Sequence, residues 1–146
     1  MKVLELDYPR RVWVSADELT AWVADAGNQR IAIWSRPDAT STAWSCTARF
    51  GSSGSGDSQF NAPTGVLVSV DGHSAWIADR NNNCVVAWSR PDAASTTWTY
   101  LNQYGSYGAG PSEFKEPNEV RLSADGLTAW ITEGYGGNRV SIWTAT

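Results

Sequence analysis

Apolar residues in this chain come in short runs of period two, broken by clusters of glycine, aspartate, asparagine and serine; no stretch keeps the 3.6-residue period of a helix. In the central third, Val66-Leu67-Val68-Ser69 reads as a strand and Asp71-Gly72-His73 as a tight turn, its glycine free to take a positive φ. Ala75 to Asp79 is a second strand, and the Asn81-Asn82-Asn83 loop leads to a third, Cys84 to Trp88. Ser89 to Ser95 turns the chain again, with Pro91 barring continuation, and Thr97 to Tyr104 is a fourth strand. A glycine- and serine-rich connection, Gly105 to Lys115, follows.

The same unit is written nearly three times. Trp22, Trp76 and Trp130 recur every 54 residues, as do Pro9, Pro63 and Pro117, and Asp17, Asp71 and Asp125. Trp34 and Trp88 keep the interval, while Trp143 falls one residue late, because the loop holding Gly134-Tyr135-Gly136-Gly137 is longer by one. Four short antiparallel strands per repeat, joined by turn residues, predict an all-β β-propeller. The expected division is a closing strand at 1–8, then blades at 9–62, 63–116 and 117–146, the last without its outer strand.

Particular residues bear a further resemblance. Phe50-Gly51, Gly56-Asp57, Phe60-Asn61, Pro63-Thr64-Gly65-Val66, Asp71-Gly72, Trp76-Ile77-Ala78-Asp79 and Asn82-Asn83 resemble, in order, the NHL repeat. The third copy keeps Phe114, Pro117, Asp125-Gly126 and Asn138-Arg139-Val140, with Glu119 and Glu133 replacing the glycine and the aspartate. The first keeps Asp25 and Asn28, with Leu6 at the phenylalanine position and Arg11 at the glycine position. The resemblance implies an NHL-type propeller, a fold used for scaffolds, binding platforms and some enzymes.

Propellers close with four to eight blades, and three are spelled here. Each bare flank of a half ring spans roughly 300 Å² in flat projection, from strands about 4.8 Å apart and about five residues long. Two such flanks approach the roughly 800 Å² per partner of a stable interface. The expectation is a homodimer closing one six-bladed ring, with residues 1–8 of each subunit filling the open blade of the other; the rival expectation is a fragment of a longer single-chain propeller.

Composition narrows the partners. A net charge of −4 and the lack of a basic rim argue against nucleic acid. No apolar run reaches membrane-spanning length, and Met1 to Asp7 is too short and acidic for a signal peptide. Cys46 and Cys84 occupy non-equivalent repeat positions, so free thiols and a cytoplasmic location are expected. His73 is the only histidine; the three-histidine zinc site of lyase relatives cannot be assembled, and neither a metal site nor a cofactor is expected.

The remaining chemistry lies where the copies differ. Arg10-Arg11, Thr64-Gly65 and Asn118-Glu119 are equivalent positions at the start of the innermost strand, and Arg121 replaces Trp13 and Leu67. Arg10, Arg11, Glu119 and Arg121 therefore form a candidate site at the channel mouth for a small anionic or zwitterionic molecule. A lectin-like alternative sets Trp44 and Trp98, expected to be exposed on outer strands, beside Arg36 and Arg90 to bind a glycan. Asp25, Asp79 and Glu133 with Asn28, Asn82 and Asn138 suit a cation, but their recurrence favours hydrogen bonds within their own turns. The function expected on these grounds is a non-catalytic binding module, with a lectin-like propeller or a metal-dependent lyase or hydrolase as alternatives.

Overall fold

The computed structural model describes residues 5–144, and its strands fall on the alternating runs. β1 (Pro9–Val14), β2 (Thr20–Asp25), β3 (Arg30–Ser35) and β4 (Ser45–Phe50) form an antiparallel sheet in chain order. A short parallel pair, β5 (Ser52–Ser53) and β6 (Gln59–Phe60), ties down the next loop. The pattern repeats with β7 (Pro63–Val68), β8 (Ser74–Asp79), β9 (Cys84–Ser89) and β10 (Thr99–Tyr104), and then the pair β11 (Ser106–Tyr107) and β12 (Glu113–Phe114). β13 (Pro117–Leu122), β14 (Thr128–Glu133) and β15 (Val140–Thr144) make a third sheet, of three strands among the described residues.

Register follows the repeat. Trp13 pairs with Trp22, Leu67 with Trp76 and Arg121 with Trp130. Each first strand carries an irregularity just after its proline, where an extra residue re-aims the side chains that follow. The tight turns are pinned alike: the hydroxyls of Ser15, Ser69 and Ser123 donate to Asp17, Asp71 and Asp125. Those hydroxyls, and then the amides of Leu19, His73 and Leu127, hold the three carboxyls below the usual aspartate range.

The sheets converge at their first strands, β7 lying against both β1 and β13. Between the first two sheets, Trp22, Ile33, Phe50, Phe60, Val68, Ile77 and Trp88 form one buried cluster. Between the second and third, Phe114, Val120 and Ile131 pack with Val85, Leu67, Trp76 and Trp143. Phe60 and Phe114 are completely buried, each taking on the order of 200 Å² out of water. Both depend on a glycine: at Gly51 and Gly105, with φ of +91° and +95°, a Cβ would stand 2.3 and 2.4 Å from the Phe60 and Phe114 rings.

Glu5 to Tyr8 have no strand structure. They enter β1 as Gln59 to Ala62 and Glu113 to Glu116 enter β7 and β13. The Asp7 amide bonds Asp25 as the Asn61 amide bonds Asp79, and Tyr8, Ala62 and Glu116 share a positive φ. Residues 1–4, which the expected closing strand needs, lie outside the described residues. No helix among the described residues is long and apolar enough to cross a membrane.

Candidate functional site

The convergence of β1, β7 and β13 gathers the candidate charges. Arg11 reaches across the intervening strand to Glu119, Nη2 to Oε2 at 3.5 Å, and Arg121 pairs with the other carboxylate oxygen of Glu119. The strand between them carries Gly65 at the equivalent position, so no side chain obstructs the reach. That glycine is required for a second reason: a Cβ there would lie 2.6 Å from the Asn118 carbonyl and 2.9 Å from the Glu119 Cα. Thr64 beside it donates its hydroxyl to Ala78 O and to Pro117 O, joining the second sheet to the third.

Arg10 is exposed in the irregular start of β1, on the same strand as Arg11. The Arg11 and Arg121 side chains are more than half exposed, and that of Glu119 is mostly covered. Exposed pairs of this kind contribute only about 0–1 kcal/mol to stability. The middle copy reaches the same strand geometry with Thr64, Gly65 and Leu67, so the fold does not demand these charges. Two guanidiniums on one carboxylate leave an excess of positive charge that can orient an anion, next to a carboxylate that can accept a proton.

The lectin-like set is engaged otherwise. Arg36 covers the Trp44 ring with its Cζ 5.1 Å from the centroid, and Arg90 covers Trp98 at 4.9 Å. Arg90 also donates to Gly72 O and Ser95 O at 2.6 and 2.9 Å; Arg36 does the same to Glu18 O and Ser41 O. These arginines lock their own turns. The expected exposure of both tryptophans needs correction: Trp98 is buried and Trp44 half-buried. They lie just before β10 and β4, where the chain folds back over the sheet under the arginine.

On the opposite rim the acidic positions are committed to structure. Asp25 accepts the Asp7 amide, the Asn28 side chain and Arg30 Nε at 2.7 Å. Glu133 accepts the Lys115 amide, Ser141 and Arg139. Burial pushes the Glu133 carboxyl up, but those hydrogen bonds and the Arg139 charge outweigh it, and the net shift is downward. Asp79 has the Asn61 amide and Asn82, but Cys84 stands opposite it where the other copies have arginine. Burial therefore lifts Asp79 to about 6 and, with the nearby Asp79 charge, Cys84 to about 12. Cys46 and Cys84 are both free thiols.

The copy-to-copy exchange of arginine for cysteine was visible in the sequence; that it strips a buried carboxylate of its cation was not, because the pairing needs the strand register. The Arg80–Glu116 ion pair at 2.6 Å, across the second and third sheets, was missed for the same reason. Among the described residues no group of three His, Cys, Asp or Glu side chains is gathered as metal ligands would be, so the donor set does not fit a zinc site.

No family model matches the chain, and no curated protein does. Solved structures match it in fold. Pseudomonas aeruginosa periplasmic gluconolactonase aligns at a TM-score of 0.66 and 16% identity, over 94% of this chain and 39% of that one. A provisionally named 6-phosphogluconolactonase from Bacteroides uniformis aligns at 0.69 and 14%, over 94% and 37%. A β-propeller domain from Myceliophteria thermophila aligns at 0.63 and 14%, over 94% and 38%. The chain thus spans less than two-fifths of the length of these neighbours. The expected non-catalytic binding module is corrected by this finding, since two of the neighbours carry the names of enzymes. At such identities the likeness establishes the fold: this is an all-β chain of β-propeller type.

Proposed function

We propose that this chain supplies part of a propeller hydrolase for a small anionic sugar lactone, with its reacting centre at Arg11, Glu119 and Arg121. The observation that carries this reading is the convergence of two guanidiniums, from the first and third sheets, on one carboxylate at the inner strands. In this reading the three sheets are blades of NHL type, and Arg10, Arg11, Glu119 and Arg121 lie at the mouth of the ring. The gluconolactonase names among the fold neighbours support the reaction class.

Lactone hydrolysis requires an activated water beside the carbonyl and a counter-charge for the oxygen that becomes anionic. Glu119 accepts the water's proton as the water oxygen bonds the carbonyl carbon. Arg121 neutralises the tetrahedral oxyanion, while Arg11 and Arg10 hold the substrate's own anionic group. The ring C–O bond then breaks, and the proton passes to the departing alkoxide, leaving a hydroxy acid.

The test is a pH-indicator assay with gluconolactone and 6-phosphogluconolactone. The protein accelerates hydrolysis above the spontaneous rate, and Glu119→Gln lowers kcat by about 100-fold or more with the fold intact by near-ultraviolet circular dichroism. A wild-type rate equal to the spontaneous one, or full activity in Glu119→Gln, rejects the proposal.

A further inference from the structure

The strand that carries Glu119 and Arg121 is held at its start by a charge pair that the equivalent residues of the other two sheets cannot form. In every sheet the residue before the first proline takes a positive φ: +45° at Tyr8, +56° at Ala62 and +52° at Glu116. The second and third of these donate their amides to a side chain of the preceding sheet. Ala62 N reaches Gln29 Oε1 at 2.5 Å, and Glu116 N reaches Asn83 Oδ1 at 3.0 Å. That much belongs to the repeat. Glu116 adds a carboxylate, whose Oε2 accepts from Arg80 Nη2 at 2.6 Å and from Arg80 Nε at 3.2 Å. Its carbonyl accepts the Gly134 amide at 2.9 Å. Ala26 and Gly134 stand at the positions equivalent to Arg80, so neither can make such a pair.

The far side of the same strand start is held by β7. Thr64 donates its hydroxyl to Pro117 O at 3.1 Å, and Gly65 lies against the Asn118 carbonyl and the Glu119 Cα. Between the clamped Glu116 and Glu119 the register of β13 slips by one residue. Such an irregularity re-aims the side chain that follows it, so the direction of Glu119 depends on where Glu116 is fixed.

We infer that Arg80 is a positioning residue: by holding Glu116 it sets the place of the Glu119 carboxylate between Arg11 and Arg121. The inference rests on the reading of Glu119 as the proton acceptor. The Arg11 contact, at 3.5 Å, has little slack, and a displacement of about 1 Å at a reacting group is enough to cost turnover heavily. The Arg80 and Glu116 side chains are 29% and 35% exposed, and ion pairs so exposed add little to global stability. Two N–H groups of one guanidinium on one oxygen instead fix a direction. The pair also stands at the junction that leads into β13, the strand with the reacting charges, and the junction into β7 does without it.

The experiment joins lactone turnover to hydrogen exchange in wild type, Arg80→Ala, Arg80→Lys, Glu116→Ala and the Arg80→Ala, Glu116→Ala double variant. Each alanine variant lowers kcat about 10-fold with KM unchanged, and the double variant loses no more than either single one. Arg80→Lys recovers part of the loss. Amide exchange speeds up about 10-fold at residues 118–122 and keeps its wild-type rate at residues 10–14 and 64–68. Should Arg80→Ala fail to fold, Glu116→Gln takes its place. Full turnover in Arg80→Ala, losses that multiply in the double variant, or faster exchange throughout the chain overturns the inference. If wild type hydrolyses neither lactone, the proposed reaction fails and exchange alone decides. Acceleration confined to residues 118–122 then upholds the positioning of Glu119, and unchanged rates overturn it.

Discussion

Replacing Cys84 by arginine returns to the second sheet the cation that the other two sheets have. Asp79 is fully buried, and its neutral donors, the Asn61 amide and Asn82, do not offset desolvation; its carboxyl is lifted from 3.8 to about 6. An acid with a raised folded-state value binds its proton more tightly folded than unfolded. Its contribution is therefore most favourable below pH 4, declines as pH rises through about 6, and is level above that. The shift of about two pH units corresponds to a cost on the order of 3 kcal/mol at pH 8. In the Cys84→Arg protein, Nε stands opposite Asp79 as Arg30 stands opposite Asp25 and Arg139 opposite Glu133, at 2.7 and 2.6 Å. The new guanidinium continues toward the loop carbonyls of Ser55 and Gln59, the equivalents of Ala109 and Glu113, which Arg139 bonds. Urea unfolding of both proteins at one fixed concentration, from pH 4 to pH 8, tests this. The variant's stability relative to wild type rises by about 2–3 kcal/mol across that range, most of it between pH 4 and pH 6.5. A difference that does not change with pH would refute the assignment of Asp79 as an uncompensated buried acid.

Two further outcomes follow from packing. Gly65→Ala drives a methyl into the Asn118 and Glu119 backbone and lowers stability by about 2 kcal/mol or more, whereas Gly126→Ala, where a Cβ meets open space but φ is +71°, costs about 1 kcal/mol; paired thermal melts compare them. Arg90→Ala removes the cover over Trp98 and two hydrogen bonds to backbone carbonyls, lowers the melting temperature by several degrees, and shifts tryptophan emission to the red as Trp98 meets water.

The strands, turns and repeat were legible because each is a local signal: period-two runs, Asp-Gly turns and a 54-residue interval require no knowledge of what packs where. The burial of Phe60 and Phe114 and the need for Gly51 and Gly105 beside them recur at the same repeated positions, but it took the packing of the sheets to show them. What the sequence hid is relational. Trp98 reads as an outer-strand aromatic, but the chain before β10 folds it under Arg90, and only tertiary contact decides its exposure. Likewise Arg10, Arg11, Glu119 and Arg121 stood out as departures from the middle copy. That Arg11 and Arg121 grip the same carboxylate depends on how three strands converge, and the enzymatic reading came from fold neighbours that no motif here names.

The proposed reaction rests on guanidiniums that recognise an anionic lactone beside Glu119. The most direct measurement is the ratio of kcat/KM for 6-phosphogluconolactone over gluconolactone, in wild type and in Arg11→Ala. Wild type prefers the phosphorylated lactone, and the preference falls by about 10-fold in the variant, corresponding to about 1.4 kcal/mol of lost transition-state binding. An identical ratio in the two proteins, or no hydrolysis of either lactone by wild type, contradicts it.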